Sequence, residues 1–245
     1  MNYLIRISYD GSKFYGFQRL NDYDTVQKLL EDALLVINKK EVLVKGAGRT
    51  DRGVHALDQC VSFKLDIDIS KEGLKKALNS LVEPYIYVKE VLEVDEDFHA
   101  RFNVLKKTYV YKINMGEYNP IEKDYVFQYN KKLDVTEMER ALKYLEGTHD
   151  FRSFVKIDEE KDNYIRTIVQ TSLIRDIKNV NMVTISILGT GFMRYMVRNI
   201  VGMLIEIGEG KFRSEDIISI LELKDRKQAG ICAPPCGLYL KDVYY

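Results

Sequence analysis

Apolar and polar positions alternate from the second residue onward. In "NYLIRISYD", Tyr3, Ile5, Ile7 and Tyr9 fall on one side and Leu4, Arg6 and Ser8 on the other, the period of a half-buried strand. After a glycine-punctuated loop, "GSKFYGFQR", the period becomes helical. "TVQKLLEDALLVI" sets Val26, Leu29, Leu30, Ala33, Leu34 and Ile37 on one stripe, with Asp24 or Thr25 placed to cap it. A short strand, "EVLVK", leads into a glycine-rich loop, and "QCVSFKLDIDI" alternates again. A helix opening at Ser70 with Leu74, Ala77, Leu78 and Leu81 as its stripe, then a strand "YIYVKEVLEV", complete this half. Strand, helix, strand, strand, helix, strand is the split βαβ order of a ferredoxin-like fold, an antiparallel sheet with helices on one face.

The second half repeats the theme with additions. A strand "LKKTYVYKIN" and a helix "TEMERALKYLEG" precede strands near 165–175 and 181–188. Two helices, "RYMVRNIVGMLIEIG" and "SEDIISILEL", and a terminal strand "GLYLKDVYY" follow. The repeat predicts an α+β protein of two ferredoxin-like (RRM-like) halves, 1–103 and 104–245. No linker rich in Pro or Ser marks the boundary.

Composition narrows this little. The 245 residues suffice for one large domain or two smaller ones, and 46% hydrophobic with 30% charged residues is ordinary for a soluble globular protein. No run approaches the roughly 18 apolar residues of a membrane span. The opening "MNYLIRISYDG" reads as no signal peptide, so Cys60, Cys232 and Cys236 read as reduced thiols of a cytoplasmic protein. Two cysteines near the end, with His99 and His149 at no ligand spacing, do not make a tetrahedral metal site, and none is expected. His55 reads as a structural hydrogen-bonding group.

Charge is more informative. With 37 basic and 37 acidic residues the chain is neutral, which argues against indiscriminate nucleic-acid binding, whose footprint is a pI above about 9. The charges are segregated, however. "ARFNVLKKTYVYKIN" carries Arg101, Lys106, Lys107 and Lys112 without an acid, whereas "EVLEVDED" and the run at 158–162 are acidic.

The loop "GAGRTDRGVHA" holds the candidate chemistry: Asp51 among glycines, with Arg49 and Arg52 beside it. Three readings are open. It could be a tight connection whose glycines supply positive φ. It could be a phosphate cradle, although the lysine and Ser/Thr of a P-loop are absent. Or it could hold a nucleophilic carboxylate. An aspartate titrates near about 3.9, so it is an anion at neutral pH and needs no base. A nearby arginine would keep it charged and fix its direction once water is excluded, and the glycines would admit a bulky sugar.

"GRTDRGVHA" resembles the catalytic motif of the tRNA pseudouridine synthases of the TruA family. "YDGSKFYGFQR", "TVQ", "FHARFNVLKKTYVYKI", "HDFRSF", "RTI", "GFMRYMVRNIVGMLIEIGEGK" and "APPCGLYLKDVYY" are similar to the family's other blocks, in the same order over essentially the whole chain. The resemblance implies sheets joined into one extended sheet with an active-site cleft between the halves. It implies Asp51 as the nucleophile, Arg49 as the motif arginine, Tyr109 as the ring that stacks on the target base, and Arg198 as partner of the carboxylate. Uridines at positions 38, 39 and 40 of the tRNA anticodon arm would be isomerised to pseudouridine, without a cofactor, by a homodimer. Lys13, Arg19, Arg52, Arg101, Lys106, Lys107, Lys112 and Arg194 are candidate RNA contacts. Phe17 stands where the family often has tryptophan, and Lys106 and Lys107 where arginines are usual, which keeps charge but loses the planar fork. Two rivals predict otherwise. A non-catalytic RNA-binding module would stack bases on its tyrosines and need no carboxylate among arginines. An aspartate hydrolase of a small substrate would show no salt dependence of binding.

Overall fold

The computed structural model describes residues 1–156 and 163–245; the acidic run at 158–162 lies outside the described residues. It is an α+β protein, with ten strands and five α-helices among the described residues. The chain divides into two compact units, residues 1–105 with Tyr239–Tyr245, and residues 106–238.

In the first unit β1 (Asn2–Tyr9), α1 (Val26–Asn38), β2 (Lys45–Gly46), β3 (His55–Lys64), α2 (Lys71–Val82) and β4 (Ile86–Val94) follow in order. The sheet runs β4-β1-β3, with β2 on the other side of β3 and every pairing antiparallel. This is the split βαβ arrangement that the alternation predicts. Tyr3, Ile5 and Ile7 of β1 are wholly buried, as are Leu30 and Leu34 of α1 and Leu74 and Leu78 of α2. The helices begin at residues that satisfy their free amides: Thr25 accepts from Lys28 N at 3.2 Å, and Ser70 from Gly73 N at 3.1 Å.

Two readings need correction here. "EVLVK" is not a strand along its length; only Lys45–Gly46 pairs. Its alternation is real, since Val42 and Val44 are buried and Leu43 exposed. The Val44 N–H, however, donates to buried Glu31 Oε1 at 3.2 Å rather than to a neighbouring strand. In α2 the core position falls to Val82, and Leu81 is exposed.

The second unit contains β5 (Lys106–Asn114), β6 (Phe127–Gln128), α3 (Val135–Lys143), β7 (Gly147–Asp150), β8 (Ile165–Arg175), β9 (Met182–Gly189), α4 (Met196–Gly208) and α5 (Asp216–Leu223). Its strands run β5-β9-β8-β7, antiparallel throughout, and β6 lies parallel to β5. Helix α4 is apolar nearly all round, with Met196, Ile200, Val201, Met203, Leu204 and Ile205 wholly buried. It packs so closely that a Cβ on Gly202 would lie 1.7 Å from the carbonyl oxygen of Ile231.

The last strand, β10 (Leu238–Tyr244), belongs to the first unit from Tyr239 onward, where it runs parallel to β3 with Tyr239 opposite His55. Among the described residues no helix is long and apolar enough to cross a membrane.

Candidate active site

The loop around Asp51 is held by its backbone and by buried polar side chains. Ala47 N donates to Cys60 O at 2.8 Å, and wholly buried Gln59 donates through Nε2 to Gly48 O at 2.8 Å. Thr50 is buried, its hydroxyl 2.8 Å from that of Tyr9. Burial pushes the Tyr9 phenol up to about 12, so it stays a neutral hydroxyl. Beyond Thr50 the chain turns sharply: Val54 N donates to Asp51 O at 3.1 Å, and Gly53 takes φ +79°, which a side chain would resist. Asp51 therefore opens a four-residue turn. It is half-buried, while Arg49 and Arg52 on either side are exposed.

The first loop of the chain lies against this turn. Phe17 N donates to Thr50 O at 3.1 Å, and Gly16, at φ +96°, has no room for a Cβ, which would sit 2.8 Å from the same oxygen. The Phe17 ring occupies the space a Cβ on Gly46 would need. Arg52 stacks over the Tyr15 ring at 4.0 Å, and Tyr15 stacks on Tyr23 at 4.3 Å and 26°. The position after the aspartate is thus a cation resting on one exposed tyrosine that is itself stacked on a second. His55 receives the Gly11 N–H at Nδ1, 3.0 Å, and stacks on Tyr239 at 4.6 Å, so it joins the turn to β10.

Removal of the Tyr9 hydroxyl tests how far this support matters. Tyr9→Phe is expected to cost about 1–3 kcal/mol, because a buried partner, Thr50, loses its bond. Urea unfolding checks it, and an unchanged midpoint would mean the contact contributes nothing.

In the second unit Tyr109 lies on β5, opposite Ile187 of β9. It is 8% exposed, and Phe192 stands edge-on to it at 5.1 Å and 76°. Gly189 makes room for Phe192, whose ring would be 2.9 Å from a Cβ there. Tyr195, at φ +64°, precedes α4 and offers its first amides no side-chain cap. Arg194 and Arg198 both approach the Tyr195 ring, at 4.9 and 5.3 Å. Arg198 is half-buried and donates through Nε to Ala233 O at 2.7 Å, while Ala233 N donates back to Arg198 O at 3.0 Å. Two bonds therefore fix the base of this arginine before any substrate arrives.

Of the expected RNA contacts, Lys13, Arg52, Arg101, Lys106 and Arg194 are exposed, and Lys107 and Lys112 are half-buried. Arg19 is already engaged, 2.8 Å from Glu31 and 3.7 Å from Asp32. Lys156, Asn199 and Arg226 line one hollow with Arg198. Asn199 lies in a block that carries the resemblance, whereas Lys156 and Arg226 lie in none of those blocks.

The family profile for tRNA pseudouridine synthase matches residues 5–103 and 141–245. The chain is 43% identical to tRNA pseudouridine synthase A of Pseudothermotoga lettingae, over 96% of this chain and 95% of that protein. It is 44% identical to tRNA pseudouridine synthase A of Mycoplasmoides gallisepticum, over 100% of this chain and 91% of the relative. Identity to tRNA pseudouridine synthase A 2 of Clostridium tetani is 40%, over 100% and 98%. The protein is an isomerase. It belongs to the tRNA pseudouridine synthase family.

Proposed function

We propose that the chain isomerises uridines 38, 39 and 40 of the tRNA anticodon arm, with Asp51 as nucleophile and no cofactor. The observation that carries this reading is the Asp51 turn: a half-buried carboxylate on a backbone fixed at Ala47, Gly48, Thr50 and Val54, between two exposed arginines. A solvated connection has no use for so much buried support.

The reaction breaks the N1–C1′ bond, turns the uracil and joins C5 to C1′. N1 gains a proton and C5 loses one, so atoms and electrons balance without an oxidant, a metal or an energy source. A uridine in a folded arm must first leave its stack, at a cost of a few kcal/mol. Stacking on Tyr109 would offset roughly 1–3 kcal/mol of that. Asp51 then attacks C1′ as the N1–C1′ bond breaks and is displaced again when C5 of the turned uracil bonds to C1′, while Arg198 directs the carboxylate. The rest of the arm is gripped by shape, through its phosphates and sugars. A homodimer, as in the family the chain resembles, would let a neutral chain gather its basic patches around one RNA; light scattering of the purified protein tests that assembly.

Pseudouridine has the mass of uridine, so the test is site mapping by mass spectrometry after a pseudouridine-selective adduct. Unmodified tRNA incubated with the protein in plain buffer should carry adducts in the anticodon arm alone. No adduct, or adducts elsewhere, would contradict the proposal. Arg52→Ala should weaken tRNA binding less than tenfold and lower the slope of log Kd against log salt by about 1. An unchanged slope, from titrations at several salt concentrations, would remove Arg52 from the contact set.

A further inference from the structure

The hollow beside Arg198 has a lining that the isomerisation itself does not require. Lys156, Tyr195, Arg198, Asn199, Arg226 and Cys232 bound about 380 Å³ within the second unit. Among the described residues of this lining three are cations and none is a carboxylate. Arg226 is fixed by neutral acceptors: Nη1 donates to Gly230 O at 2.9 Å and Nη2 to Asn199 Oδ1 at 2.8 Å. Asn199, itself 1% exposed, is locked in turn by its donation to Phe154 O at 2.8 Å. The guanidinium is thereby oriented without being neutralised by these partners. The uncapped start of α4, at Tyr195, adds the positive end of a 13-residue helix to the same wall.

We propose that this hollow takes a phosphodiester of the RNA strand next to the everted uridine, with Lys156 and Arg226 as its contacts. The assignment of the neighbouring position rests on Arg198 acting at the reacting nucleotide, as proposed above. Planar guanidinium and ammonium donors around a space larger than one phosphate suit a phosphate with its ribose. Among the described residues of the lining the one aromatic is Tyr195, which already carries two arginines and so offers a base no platform. The site therefore reads backbone and adds register to binding, holding the strand while one nucleotide leaves the stack.

The test is a double-mutant cycle between protein and RNA. Lys156→Met is paired with anticodon-arm RNAs in which single phosphates are replaced by neutral methylphosphonates. Lys156→Met alone should weaken binding about three- to tenfold and lower the salt slope by about 0.7 to 0.9, with Lys156→Arg restoring both. At one linkage within two nucleotides of the target, neutralising the phosphate should cost the wild type affinity and cost Lys156→Met almost nothing more. Additive losses at every linkage, or coupling only at a remote linkage, would overturn the proposal. A loss of thermal stability without a change in slope would assign Lys156 a structural role and overturn it as well. Failure of the functional reading is visible separately, as wild-type protein that does not bind the unmodified arm at all, and it would take this inference down with it.

Discussion

Asp51→Asn is expected to yield a folded protein that still binds tRNA and makes no pseudouridine. The turn it sits in rests on the Asp51 carbonyl oxygen, which accepts from Val54 N at 3.1 Å, so the amide swap leaves that bond in place. Charge changes instead. A carboxylate between exposed Arg49 and Arg52 becomes neutral, which makes the surface no less attractive to phosphate. Affinity should stay within about tenfold, or 1.4 kcal/mol. The rate should fall by at least about a thousandfold, as it does when a nucleophile is removed while binding groups remain. Asp51→Glu keeps the charge and displaces it by one methylene, and a loss of about a hundredfold is expected from misplacement alone. A non-catalytic RNA-binding module has no activity for either change to remove.

The largest structural effect is expected at Gly202. Its absent Cβ would lie 1.7 Å from Ile231 O and 2.7 Å from Ile231 C, both backbone atoms that cannot swing aside. Gly202→Ala must push α4 away from the segment that precedes β10. That segment is the one whose Ala233 makes two bonds with Arg198. Overpacking of this kind costs about 1–3 kcal/mol and occasionally more, and a backbone clash belongs at the upper end. At about 2–4 °C per kcal/mol for a chain of this size, the melting temperature should drop by roughly 6–12 °C. Gly210→Ala is the control: its φ of +77° is unfavourable to alanine, but nothing lies within 4 Å. It should cost about 1 kcal/mol. Scanning calorimetry of the two variants checks the order, and equal melting temperatures would mean that α4 is not wedged against residue 231.

What the chain discloses by itself follows the physics of its periods. Helices α1 and α2 are legible because their stripes are long and their caps are local, Thr25 and Ser70 reaching only three residues on. Strand β7 is not legible: "GTHD" has no apolar alternation and is held by pairing with β8, including the Thr148–Thr167 hydroxyl contact at 2.7 Å. "EVLVK" misleads because Glu31, 13 residues earlier in the chain, takes the hydrogen bond a neighbouring strand would have made. The return of β10 to β3 joins residues nearly two hundred apart, and no local pattern encodes such a pairing. At the site, Asp51 stands out as an acid among glycines and arginines. The Arg52–Tyr15–Tyr23 stack does not, since exposed tyrosines scattered in sequence look like ordinary surface until the fold assembles them. Lys156 and Arg226 are hidden for the same reason, separated by seventy residues and brought to one hollow by the fold.

The most direct measurement uses tRNA labelled with tritium at C5 of uridine, because that hydrogen must leave if C5 becomes the carbon bonded to the sugar. Excess enzyme and labelled tRNA are mixed, and bound RNA and released tritium are followed in the same samples for the wild type and Asp51→Asn. Release by the wild type to a stoichiometric end point, with none from the variant at equal occupancy, is the expected result. Release by the variant at the wild-type rate would contradict the role given to this carboxylate.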